Sequence, residues 1–185
     1  LRRKMAKSWG PYRLSNTIQT IRSVFKFGYD SGLIDRPVRY GPQFKKPSKK
    51  TVRVHRAEQG LKLFTQEEIR QLIEAAGVQM KAMILLGINC GFGNADCGRL
   101  PLAALDLDAG VIDYPRPKTG VARRCPLWPE TVDALRDVLA KRKEGKDTAD
   151  AGVVFVTKYG GCWAKDDRDN PVTKEMRKLL DTLSI

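Results

Sequence analysis

Lys118 sits in the step Lys118-Thr119-Gly120, with Arg123 and Arg124 following in the run KTGVARRCPL. A lysine at a loop tip can reach into a groove. Arg123 and Arg124 are neighbours on an expected strand, where successive side chains alternate, so one faces the opposite side from the other. Other chemistries find little support. Cys90, Cys97, Cys125 and Cys162 lack CxxC spacing and His55 is the single histidine, so neither a disulfide framework nor a structural zinc site is expected. The cysteines read as small buried hydrophobes in a reducing compartment. No metal and no cofactor are expected.

Charge points the same way as these cations. The formal net charge is +13, and residues 1–56 hold 15 of the 34 Lys and Arg but only two of the 21 acids, Asp30 and Asp35. A basic block beside a neutral region is the footprint of a polyanion binder, because each cation near a phosphate releases condensed counterions. Arg22 and Lys26 lie on the polar face of a helix, and Lys45, Lys46, Lys49, Lys50, Arg53 and Arg56 form a basic strap. With Arg123 and Arg124 they are the candidate DNA-binding residues. Charge alone does not separate such a strap from an import-type address or a solvated linker.

The elements that position these groups follow from periodicity. With 185 residues, 42% of them hydrophobic, the chain can bury a core. Leu14, Ile18, Ile21, Phe25 and Tyr29 recur at three and four residues, which predicts an amphipathic helix closed by a Gly32 cap with Leu33 and Ile34 folding back. Prolines 37, 42 and 47 with the run KKPSKKTVRVHR predict an extended connector over 36–60. Thr65 and Glu68 make a capping box for the next helix. Met80 to Cys90 is apolar nearly all round, so it is expected at the centre of a core. A weak helical turn is expected over 94–100, then short strands at 105–107, 111–113 and 121–125, a helix over 130–142, a strand over 153–156 and a last helix over 171–183. The fold class is α+β, mostly helical: a helical N-terminal part, then a mixed domain with a small three-stranded antiparallel sheet packed on helices. No apolar run is long enough to span a bilayer, and a cytoplasmic location is expected.

From Leu63 onward the chain resembles the tyrosine recombinases, the phage-integrase family. The resemblance rests on the opening LFTQEEIRQLI, the buried helix ending Cys90-Gly91, Asp96 at an acidic position of the family, Leu100 and Leu105 in its leucine-rich turn, and Lys118-Thr119-Gly120 with Arg123, Pro126 and Leu127 following. It implies three regions: residues 1–40 as the last helix of a core-binding domain, 41–62 as a basic linker, and 63–185 as the first half of a catalytic domain. Both ends read as cut from something longer, so a truncated segment is expected. The implied chemistry is metal-free phosphoryl transfer, in which a tyrosine attacks the scissile phosphate, arginines stabilise the non-bridging oxygens and a hairpin lysine protonates the departing 5′ oxygen. Lys118 matches that lysine and is the one catalytic residue carried over. Asp96 is expected to cap neighbouring backbone.

The departures matter as much. Gly93 stands where the family has its first catalytic arginine, and Arg99, six residues on, points about 240° further round a helix. No His-x-x-Arg occurs, and every tyrosine precedes the family's nucleophile position. The expected partner is duplex DNA, with other recombinase protomers as partners of a full-length parent. This segment by itself is expected to be monomeric and not to cleave DNA. A non-catalytic DNA-binding accessory or regulatory relative explains the same residues, and a basic RNA-binding protein is the more distant alternative.

Overall fold

The computed structural model describes residues 2–60, 63–164 and 170–185, and it divides into two units, residues 1–63 and 64–185. The last two residues of the expected linker, 61 and 62, lie outside the described residues.

The first unit holds α1 (Arg2–Met5), α2 (Pro11–Asp30) and α3 (Lys49–Glu58). Pro11 opens α2 at a first-turn position, where its missing N–H costs nothing. The helix closes as expected: Leu33 donates to the Gly28 carbonyl at 2.8 Å and Gly32 to Tyr29 at 3.1 Å, the paired bonds of a Schellman ending. Its apolar stripe is covered only at the start. Met5, Leu14, Ile18 and Phe44 form a small core with Ile21 and Tyr40 packed against it, whereas Phe25 and Tyr29 are 42% and 45% exposed.

The extended strap is corrected over 49–58, which is helical. Ser48 caps α3, its hydroxyl accepting from the Thr51 N–H at 3.1 Å, and Pro47 sits just outside the helix, where proline is tolerated. Density of charge does not forbid a helix once a cap and a packing face exist. His55, 6.4 Å from Tyr12 between ring centroids, supplies part of that face.

The second unit contains α4 (Gln66–Ala75), α5 (Val78–Cys90), α6 (Asn94–Gly98), β1 (Leu105–Asp106), β2 (Val111–Asp113), β3 (Arg124–Pro126), α7 (Pro129–Ala140), α8 (Thr148–Ala151) and α9 (Pro171–Leu183). The expected capping box forms, with Glu68 N–H on Thr65 Oγ1 at 3.2 Å and Thr65 N–H on Glu68 Oε2. α5 packs chiefly on α7, and Ala82, Leu86, Leu100, Ile112, Leu135, Val154 and Phe155 are fully shielded from solvent in one core. The chain is thus mostly helical with a small antiparallel sheet, as its periodicity implies.

The sheet is a three-stranded meander, β1-β2-β3. Leu105 pairs with Ile112, Ile112 with Cys125 and Asp113 with Arg124. Ile112 and Cys125 are buried, so this face lies on the helices and Arg124 is on the other. The third strand starts later than expected, because residues 115–122 form the hairpin loop. The expected strand over 153–156 does not form. Val153 and Val156 make isolated bridges to Pro101 and Cys162, and Val154 donates to the Leu100 carbonyl, so these backbone groups are satisfied without a ladder. Arg142 holds the approach to this segment, donating to the carbonyls of Asp150, Ala151 and Val153.

Leu135→Ala removes a fully buried side chain from the α5–α7 contact and is expected to destabilise by about 3 kcal/mol. Thr65→Ala, which breaks only the capping box, should cost about 1 kcal/mol. Urea unfolding followed by circular dichroism measures both, and the ranking of the two losses is the outcome that counts.

Candidate nucleic-acid interface

The Lys118 hairpin is built by its backbone. Thr119 and Gly120 both donate to the Arg116 carbonyl, at 3.1 and 2.8 Å, and Arg116 donates to Val121 at 2.8 Å. Pro117 follows the first residue of this turn, where its fixed φ is favourable. Gly120 has φ +67°, a conformation that a side chain would strain. Lys118 is therefore carried at an exposed loop tip.

Down the same hairpin, Tyr114 and Arg123 face each other. Tyr114 N–H donates to the Arg123 carbonyl at 3.0 Å, and Arg123 Nε returns a bond to the Tyr114 carbonyl at 3.2 Å. Alternation places Arg123 on the same side as Cys125, toward the helices, and Arg124 away from them. The two arginines separate accordingly. Arg124 is exposed, while the Arg123 side chain is only 18% exposed. Its guanidinium lies 4.0 Å above the Phe92 ring and 5.8 Å from that of Tyr114, a placement the ring quadrupoles favour.

Asp96 joins this cluster to α6. Its Oδ2 accepts the Gly93 N–H at 3.0 Å and lies 3.5 Å from Arg123 Nη1. The expected backbone-capping role of Asp96 is what this geometry provides. Gly91 ends α5 with φ +64°, which turns the chain sharply toward Gly93. Gly93 itself is extended, with φ −90° and ψ 176°. It is exposed, and a Cβ there would meet no atom closer than Asp96 Oδ2 at 3.8 Å. The local backbone accepts a side chain, and none is present. Arg99 caps the end of α6, and its carbonyl accepts from the Tyr114 hydroxyl at 3.3 Å.

Residue types near this site are tuned by burial. Desolvation pushes the Cys97 thiol up to about 12, with the Asp96 charge adding to it. Cys90 is likewise pushed up to about 12, first by desolvation and then by Cys125. The Tyr114 hydroxyl is raised, chiefly by burial and then by Asp96, with Arg123 opposing. Among the described residues no cluster of three or more His, Cys, Asp or Glu side chains is placed to hold a metal ion.

The basic residues of the first unit sort into two groups. Arg22 Nη2 donates to the Phe44 carbonyl at 2.7 Å and its guanidinium lies 5.3 Å from the Tyr40 ring, which ties it into the small core. Lys26 pairs with Asp30 at 2.7 Å on the surface. Lys45, Lys46, Lys49, Lys50, Arg53 and Arg56 lie toward solvent, Lys46 and Lys49 among them. Because α3 is helical, Lys49, Arg53 and Arg56 share a face at spacings of four and three. The residues that the sequence did not single out are Phe92 and Tyr114, the rings around Arg123; their signal is the alternation that turns Arg123 inward. Trp163 is packed, its indole N–H on Gln79 Oε1 at 2.9 Å, whereas Trp128 is 47% exposed.

The fold of the chain is similar to that of solved recombinases and integrases. The fold matches the XerA recombinase with a TM-score of 0.55 at 18% identity, over 88% of this chain and 69% of that one. It matches the Tn1549 transposon integrase, solved with transposon right end DNA, with a TM-score of 0.69 at 15% identity, over 98% of this chain and 63% of that one. A lambda integrase dimer bound to a COC′ core site gives 0.66 at 12% identity, over 100% of this chain and 49% of that one. The chain thus spans about half to two thirds of the length of these structures. No match was found among curated protein sequences. The phage integrase family profile matches residues 62–183, and the chain belongs to the phage integrase family. Among the described residues no helix is long and apolar enough to cross a membrane.

Cys97 should resist iodoacetamide at pH 8 in the folded protein and react fully once unfolded, since only the thiolate is alkylated. The raised folded values of Cys90 and Cys97 also set a sign for stability. It should be retained below the ordinary thiol value of 9.0 and fall progressively between pH 9 and 12, as the unfolded thiols ionise first. Thermal melts across that range measure it, with Cys97→Ser, whose hydroxyl does not ionise there, expected to flatten the fall.

Proposed function

We propose that this chain is a DNA-binding segment of a tyrosine recombinase or integrase, engaging duplex DNA through the basic face of α3 and the Lys118 hairpin. The observation that carries the reading is Lys118, on an exposed loop tip in a domain of the phage integrase family. In the proposed role its ammonium donates a proton to the departing 5′ oxygen during metal-free phosphoryl transfer. Lys49, Arg53 and Arg56, with Lys45, Lys46 and Lys50, neutralise backbone phosphates without reading sequence. Arg22 and Lys26, already engaged, would position the first unit more than they contact DNA. The segment acts in the cytoplasm as a monomer, and pairs with other protomers only as part of a longer recombinase.

Strand cleavage is not assigned to this chain alone. Its sequence contains no His-x-x-Arg and no tyrosine after Tyr159, and Tyr159 is a turn residue, 78% exposed beside Gly160. Gly93 supports a second reading, a non-catalytic DNA-binding relative, because losing one preorganised donor costs on the order of a hundredfold to a thousandfold in rate. Both readings share the DNA surface.

Fluorescence anisotropy with a labelled duplex, repeated at several salt concentrations, tests that surface. Affinity should fall steeply with salt, and substituting Lys49, Arg53 and Arg56 with Ala should reduce the slope of log K on log salt by about 0.9 for each phosphate that is no longer neutralised. Equal affinity for duplex RNA, or a slope unchanged by the triple substitution, would contradict the reading. On a nicked suicide duplex the chain should form no covalent adduct detectable by denaturing electrophoresis.

A further inference from the structure

The arm of the hairpin that leads to Lys118 reads Asp113-Tyr114-Pro115-Arg116-Pro117-Lys118, with proline at alternate positions. Tyr114 and Arg116 donate across the hairpin, to the carbonyls of Arg123 at 3.0 Å and Val121 at 2.8 Å, so the backbone nitrogens of 115 and 117 face the other way. On that side β1 reaches only as far as Leu105, opposite Ile112, and both prolines are exposed. Here the missing N–H of proline removes no ladder bond. Each ring fixes its own φ and also disfavours all but extended backbone for the residue before it, so every residue from 114 to 117 is restricted.

The tip and the base are specified as well. Arg116 and Val121 bracket the loop 117–120, in which Thr119 and Gly120 both donate to the Arg116 carbonyl. Hairpin loops of this length are most often built around a type I turn. Pro117 takes its first central position, where the required φ is already set, and Gly120 closes the loop with φ +67°. At the base the Tyr114 ring packs against the main core, and its hydroxyl donates to the Arg99 carbonyl at 3.3 Å. Exposed loop tips ordinarily sit at the mobile end of a structure. The approach to Lys118 has little freedom left to lose.

We infer that Pro115 and Pro117 are positioning residues, which hold the backbone of Lys118 in place before DNA arrives. The inference rests on the reading of Lys118 as a DNA-facing residue and adds how that residue is presented. Neither proline nitrogen can donate a hydrogen bond, so both rings act through the alternative conformations they remove. A loop that orders only on contact loses part of the contact's free energy to that ordering, whereas one ordered beforehand keeps it. With the backbone fixed, the lysine side chain alone remains to be ordered on binding.

Combining Pro115→Ala with Pro117→Ala in the whole chain tests this, because the double substitution removes no hairpin hydrogen bond and no charge. Nuclear magnetic resonance relaxation should give backbone order parameters of about 0.85 at 118–120 in the wild type and below about 0.6 in the double variant. Duplex affinity, read by fluorescence anisotropy, should fall about four- to twenty-five-fold, a factor of about two to five for each proline. The slope of log K on log salt should stay the same, since no cation is lost. In a Lys118→Ala background the same double substitution should leave affinity unchanged, which separates placement of the lysine from general stability. A wild-type loop as mobile as that of the double variant, or a proline effect that persists without Lys118, overturns the inference and leaves duplex binding intact. A wild-type chain that does not bind duplex DNA, or binding that Lys118→Ala does not weaken, overturns the underlying reading and with it the purpose assigned to the prolines, whatever the order parameters.

Discussion

Asp96 Oδ2 is the point at which the helical body and the sheet are fastened near the candidate site. It closes the start of α6 by accepting the Gly93 N–H and meets Arg123 from the far arm of the hairpin. The two side chains are only 15% and 18% exposed, and their 3.5 Å contact adds to the shorter bonds that Asp96 makes to the Gly93 N–H and Arg123 to the Tyr114 carbonyl. Removing Asp96 leaves the Arg123 guanidinium on Phe92 and Tyr114 with no anion beside it, which is a heavier loss than the pair itself is worth. The loop after α5, the short helix α6 and the base of the Lys118 hairpin consequently hold one arrangement although position 93 contributes no side chain.

That constraint holds the loop after α5 in place without a side chain at position 93. The core beneath it is built from α5 and α7 around Leu86, Leu135 and Phe155, with Ile112 and Cys125 bringing the sheet onto the same core. Asn89 adds a second fastening, its amide donating to the Pro126 carbonyl and accepting from the Trp128 N–H. None of these contacts involves Gly93. Substrate-facing groups can therefore change without dismantling the fold that presents them, which is the sense in which a fold does not by itself fix an activity.

Much of this was legible from residue types because local and tertiary preferences agree. Thr65 and Glu68 specified their capping box, the apolar run 80–90 its burial, and Lys118-Thr119-Gly120 its turn. Three features escaped. Lys49 to Glu58 was hidden by its charge, which masks the Ser48 cap and the His55 contact with Tyr12. Val153 to Val156 has the composition of a strand but its carbonyl and amide partners come from loops, and no periodicity encodes that. Phe25 and Tyr29 continue a helical stripe whose packing ends at Ile21, because a stripe states which face is apolar and not how far a core extends. Arg123 lay between these cases. Alternation said that one of the two arginines turns inward, and only the rings of Phe92 and Tyr114 with Asp96 show which one and what holds it.

A crystal structure of the chain bound to duplex DNA tests the proposed DNA-binding role most directly. Backbone phosphates are expected within reach of the Lys118 ammonium and of the α3 face that carries Lys49, Arg53 and Arg56, with Asp96 still on the Gly93 N–H. A complex in which DNA phosphates contact neither Lys118 nor that face would contradict the account.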